Sequence, residues 1–170
     1  MIFVNSMSDL FHEDIPLDFM RSVFEIMDRC PQHVFQLLTK RSDMLLQYAT
    51  LLNWSSNIWM GVTVESEKLQ SRINDLLHVP AAIKFLSLEP LLSPLPELSL
   101  TGIDWVIVGG ESGPGARPIK EEWVLDIKAQ CEASLTPFFF KQWGGVHKKS
   151  KGSLLEGRHY HQTPILTHSY

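Results

Sequence analysis

The chain has 170 residues, of which 44% are hydrophobic and 20% charged, with a net charge of −4. That length supports one buried core and is short for two ordinary domains, and the charge lacks the basic excess of a general nucleic-acid binder. No apolar run approaches the roughly 20 residues of a membrane span, and Met1-Ile2-Phe3-Val4-Asn5 lacks a charged signal-peptide start, so a cytoplasmic protein without a membrane partner is expected.

Strand-like and helical runs alternate. Residues 2–7 read as the first strand; Asp14 then stands where it can cap a helix with Pro16 in its first turn, and Phe19, Met20, Val23, Phe24, Met27 and Cys30 follow helical spacing. Residues 34–39 form the second strand, and Ser42 starts a helix carrying Met44, Leu45, Tyr48, Leu51 and Leu52. A third strand over 58–64 precedes a helix from about 66 to 78 that buries Leu69, Ile73, Leu76 and Leu77, and a fourth covers 83–88. The link from 91 to 104 lacks a helix; with Pro94 and Pro96 behind Pro90, it reads as an extended surface loop. Strand 105–110 leads to a helix over about 121–134, with Trp123, Val124, Ile127 and Cys131 on one stripe and Glu121 and Glu122 at its positive end. A sixth strand covers 137–142. Beyond Trp143 the glycines and lysines read as a loop leading to a weakly ordered tail, which divides the chain into a domain over 1–145 and a tail over 146–170.

Most of these strands are apolar almost throughout, as buried parallel strands are. Right-handed crossovers between such strands make a barrel or a doubly wound sheet. The expected fold class is α/β, a partial β/α barrel of about six mostly parallel strands. Cys30 and Cys131, the only cysteines, fall on apolar stripes and read as reduced core thiols.

In either architecture ligands bind at the strand C-termini, and each strand here ends in polar residues. They are Asn5 with Ser6 and Asp9; Thr39, Lys40 and Arg41; Thr63 and Glu65; Ser87 and Glu89; Gly109, Gly110 and Glu111; and Lys141, Gln142 and Trp143. Polarity begins wherever a strand ends, so one such residue means little. Glu89 and Glu111 stand out, because a carboxylate directly after an apolar run must be paired or solvated; Lys40, Arg41 and Lys141 are the expected partners. In the segment from Gly109 to Arg117, glycines let backbone N–H groups approach an anion, and Arg117 can grip a carboxylate or phosphate with two prongs. A plain tight turn explains the same glycines, and the spacing is neither the dinucleotide fingerprint nor a P-loop. Trp143 and Trp105 read either as a stacking wall or as core packing. His159, His161 and His168 lack companions that would complete a ligand set, so no metal site is expected. No catalytic triad or nucleophile elbow is visible.

Several ordered blocks carry a family resemblance: residues 3–12, Leu38-Thr39-Lys40-Arg41, Gly61-Val62-Thr63-Val64-Glu65, Phe85-Leu86-Ser87-Leu88-Glu89-Pro90-Leu91-Leu92, and residues 106–118 and 138–144. Together they resemble the phage gp thirty-seven/gp sixty-eight family, an uncharacterised group, from residue 1 to about 164. Its members look like radical S-adenosylmethionine proteins, in which a partial barrel follows a segment of three closely spaced cysteines. Three thiolates there hold a 4Fe–4S cluster whose fourth iron binds the methionine moiety of S-adenosylmethionine. This sequence has no such segment, so the resemblance implies an N-terminally truncated member that does not hold the cluster unaided.

The same resemblance makes Glu65, Glu89, Gly109, Gly110, Glu111 and Arg117 the candidates for holding S-adenosylmethionine, and Asn5, Asp9, Lys40, Arg41, Lys141 and Trp143 those for a substrate of unknown class, small or macromolecular. Glu89 or Glu111 would take the cofactor's amino group, Arg117 or Lys40 its carboxylate, and the Gly109-Gly110 backbone its ribose. The alternative is a non-catalytic barrel that binds a nucleotide-like ligand or a phage or host protein. A nucleic-acid role rests on phage context and on Lys148, Lys149, Lys151 and Arg158, which a solvated lysine loop explains equally well.

Overall fold

The computed structural model describes residues 1–4, 8–146 and 152–165. Its elements follow the expected alternation: β1 (Ile2–Phe3), α1 (Leu17–Asp28), β2 (Phe35–Thr39), α2 (Ser42–Ala49), β3 (Ile58–Thr63), a 3-10 turn (Glu67–Leu69), α3 (Ser71–Leu77), β4 (Ile83–Leu88), β5 (Trp105–Gly109), α4 (Glu121–Ser134) and β6 (Phe138–Gln142). The strands stand in chain order, β1-β2-β3-β4-β5-β6, and β1–β2, β2–β3, β3–β4 and β5–β6 all pair in parallel. A sequential, parallel order joined by helical crossovers, with the β4–β5 link alone lacking a helix as expected, is the connectivity of a partial β/α barrel, and the fold class is α/β.

The chain forms two compact units, one of Met1–Val64 with Lys68–Ser87, the other of Glu65–Glu67 with the chain from Leu88 onward. In the first, α1 turns Met20, Phe24 and Met27 inward at three- and four-residue spacing, and all are at most 2% exposed. Its start differs from the expectation. Pro16, in extended geometry, occupies the N-cap with no side-chain cap, and Asp14 lies outside the helix with its own N–H bonded to His12 Nδ1. Proline has no N–H to be capped and a preset φ, so the helix begins directly after it. The far end is also shorter than the spacing suggested, leaving Cys30 beyond the C-cap Arg29. There the buried Asn57 amide donates to the carbonyls of Met27, Cys30 and His33, closing the end of α1 onto the start of β3. Likewise α2 stops at Ala49, so Leu51 and Leu52 follow it rather than continue its stripe.

Strand register sorts the first unit's side chains. Phe3 pairs with Gln36 and Gln36 with Trp59; Leu38 pairs with Gly61 and Gly61 with Phe85; Thr63 pairs with Ser87. Paired residues share a face and successive ones alternate, so these form one face. Gly61 is required there because a Cβ would overlap the Phe85 ring.

In the second unit α4 runs over the expected range and buries Val124, Ile127 and Cys131. It ends on Leu135, left-handed at φ 58° and 91% exposed. A β-carbon is unfavourable in that conformation. Leu135→Gly is expected to raise stability by about 1 kcal/mol in urea unfolding, because it removes that strain and loses no buried surface.

The tail is better tied than its composition suggested. Leu155 is fully buried, and Leu155 and Arg158 exchange both backbone hydrogen bonds around Glu156 and Gly157, each at positive φ, a two-residue hairpin turn. Beyond it residues 160–162 run antiparallel to β6: Phe140 N–H donates to Tyr160 O, and Gln162 N–H to Phe138 O. The Trp105 indole N–H donates to Gln162 O, so that Trp serves packing rather than a ligand wall. Among the described residues, no helix is long and apolar enough to cross a membrane.

Candidate functional site

The strand-end residues fall into two groups, one in each unit, while Asn5, Lys148, Lys149, Lys151 and His168 lie outside the described residues.

In the first unit Asp9 is the organising group. Its side chain is 14% exposed, and its carboxylate accepts from the Thr39 hydroxyl at 2.8 Å, the Phe11 N–H at 3.0 Å, the Lys40 N–H at 3.2 Å and Arg41 Nη1 at 3.2 Å. The Thr39 hydroxyl in turn accepts from the Arg41 N–H at 2.9 Å. A carboxylate with about four acceptor positions is saturated by this set. The chain after β2 is thereby fixed to the loop after β1, and Lys40 and Arg41 are placed beside a cavity of about 710 Å³. Phe3, Ser8, Asp9, His12, Ile15, Leu38, Thr39 and Thr63 complete its lining.

In the second unit Glu111 and Arg117 face one another across the glycine-rich turn. Glu111 Oε2 accepts from Arg117 Nε at 2.8 Å and from its backbone N–H at 2.9 Å, and Oε1 from Nη2 at 2.9 Å. The two-pronged grip expected for a ligand is thus given to Glu111, whose partner is Arg117 rather than Lys40, Arg41 or Lys141. Gly113 and Gly115, at φ 115° and 77°, supply the reversal between them. Hydrogen bonds from Arg117 hold the Glu111 carboxyl at about 2, and Glu111 with Glu65 raises the Arg117 pKa. Glu65 itself is 9% exposed.

A carboxyl whose folded pKa is depressed stabilises the fold above its unfolded value and loses that contribution as pH falls through the folded value. For Glu111 the window runs from 4.5 down to about 2. An NMR titration is expected to find Glu111 protonating only as the pH nears about 2, and Arg117→Ala to return it to the ordinary range.

Glu89 pairs with Lys141 as expected, Oε2 to Nζ at 3.2 Å, with side-chain exposures of 19% and 56%. The glycines between these groups admit neighbours of the chain itself. A Cβ on Gly109 would lie 2.5 Å from Glu89 Oε1, one on Gly110 would overlap the Trp143 carbonyl, and one on Gly144 the Glu111 carbonyl. Gly110 N–H donates to Gln142 O and Gly145 N–H to Glu111 O, joining the ends of β5 and β6. Trp143 packs edge-on against Phe140 and donates its indole N–H to Leu154 O.

These ordered strand ends belong to a chain whose residues 1–164 match one family model, described as a protein of unknown function (DUF5131). The chain belongs to the DUF5131 family. No curated protein and no solved structure matches it at a significant level. Membership spans both groups, so the Asp9 hub and the Glu111–Arg117 and Glu89–Lys141 pairs all lie within the DUF5131 match.

Asp9, Lys40 and Arg41 are legible as polar strand ends, whereas Phe3, His12 and Ile15, which line the same cavity, have nothing in their local pattern that marks them as facing it. Among the described residues, no group of three or more His, Cys, Asp or Glu side chains is placed to hold a metal ion.

Proposed function

We propose that this DUF5131 chain is a radical-S-adenosylmethionine-like barrel domain whose own part is to bind S-adenosylmethionine, or a nucleotide-like ligand, at its strand ends. The observation that carries the reading is the gathering of Glu65, Glu89, Gly109, Gly110, Glu111 and Arg117 in one compact unit. Glu89 supplies the recognition chemistry. Its carboxylate is mostly shielded while its cation partner Lys141 is mostly exposed, so the α-ammonium of an amino acid can take the place of the lysine head at little cost in desolvation.

The cluster of the resembling proteins does not fit this chain. Three thiolates are needed, whereas the sequence has two cysteines, each free, with Cys30 beyond α1 and Cys131 inside α4. Burial pushes the Cys131 thiol up to about 12, which disfavours the thiolate that a cluster iron needs. No redox step is therefore assigned to these residues. Thiol labelling of the native chain at pH 8 is expected to modify Cys30 and spare Cys131, which reacts only once the protein is unfolded.

Calorimetric titration with S-adenosylmethionine tests the proposal. Saturable binding that falls at least tenfold in Glu89→Gln is expected; absence of binding to the folded chain, or equal binding by the variant, would sink it.

A further inference from the structure

We propose that the cavity beside β1–β3 is a second ligand site, built for a nucleoside monophosphate: a flat ring carrying hydrogen-bonding groups, joined to a phosphate. This proposal rests on the first unit alone and does not depend on S-adenosylmethionine binding.

Size sets the first limit. About 710 Å³ is within the usual range for small-molecule sites, roughly 300–1,000 Å³. Charge sets the second. The lining carries Lys40 and Arg41 against the single carboxylate of Asp9, which already accepts from Thr39, Phe11, Lys40 and Arg41. A ligand ammonium finds no carboxylate there with capacity to spare, whereas an anion meets Lys40 and Arg41. Arg41 engages Asp9 through Nη1 and is 39% exposed, and its planar fork suits a phosphate better than a point charge would.

The apolar walls decide the rest of the ligand. Phe3 is 46% exposed although it sits on the sheet, which leaves an aromatic face for a ring to stack on, with Leu38 and Ile15 nearby. Polar groups accompany that wall. Ser8 and Thr63 line the cavity, and Gln36 lies next to Phe3 on the same face of the sheet. Gln36 is only 8% exposed, yet among the described residues its amide nitrogen has no hydrogen-bond partner. A buried donor of this kind needs an acceptor; its nitrogen is closed off from solvent, so the carbonyl or ring nitrogen of a base stacked on Phe3 would meet it once the Gln36 side chain turns toward the cavity.

The test is calorimetry on the whole chain with adenosine 5′-monophosphate, adenosine and ribose 5-phosphate at low and at moderate salt. The monophosphate is expected to bind saturably, at least tenfold tighter than either fragment, and several-fold weaker at moderate salt. Arg41→Met is expected to lose at least tenfold. Leu38→Trp, which fills the cavity without touching a charge, is expected to abolish binding while circular dichroism stays native. Ribose 5-phosphate binding as tightly as the nucleotide would overturn the ring part of the proposal. No saturable binding, or native affinity in both folded variants, would overturn the site. Because S-adenosylmethionine is titrated against Glu89→Gln in the other unit, the two readings fail separately.

Discussion

Gly110→Ala is expected to destabilise the fold by about 3 kcal/mol, the upper end for overpacking a filled site. The added methyl would overlap the backbone carbonyl of Trp143. A backbone oxygen cannot rotate aside, and the Gly110 N–H is itself tied to Gln142 O, so relief requires parting the ends of β5 and β6. Gly109→Ala is the informative comparison, since its methyl would meet the end of the Glu89 side chain, which can swing. Urea unfolding of both variants should therefore rank Gly110→Ala well below Gly109→Ala. Equal losses would show that β5 and β6 separate more readily than this packing implies.

Asp9→Ala should cost about 2–3 kcal/mol, the range for removing a charged acceptor from donors that stay shielded. Thr39 is 1% exposed and loses its acceptor outright, and the Phe11 and Lys40 N–H groups lose theirs. Arg41 is exposed enough to be rehydrated and should add little. Asp9→Asn keeps one acceptor oxygen and is expected to fall between the two states in thermal melts. A loss below about 0.5 kcal/mol for the alanine variant would mean that the loop after β1 is held by something other than this carboxylate.

Most of the architecture was legible because its signal is redundant. Residues 83–88 and 121–134 read correctly to the residue, since a mostly apolar run of strand length and an apolar helical stripe opened by two acidic residues each say the same thing several times over. Element ends were less legible where one polar residue had to decide them: Asp14 looked like a cap, but Pro16 two positions later fixed the start of α1. Positions of candidate residues were legible and their partners were not. The sequence offers Arg117 as a ligand grip, and only the three-dimensional folding of the turn reveals that Glu111, six residues earlier, takes both prongs. Long-range groups such as Asn57, which serves carbonyls of the preceding helix and loop, leave no local pattern at all.

The antiparallel segment at 160–162 has a consequence for a shortened chain. It covers the outer edge of β6, where the Phe140 N–H donates to Tyr160 O and Phe138 O accepts from the Gln162 N–H. An uncovered edge recruits other strands. A product cut between Gln142 and Tyr160 would thus present an adhesive strand, which gives holdase chaperones their clearest opportunity on this protein.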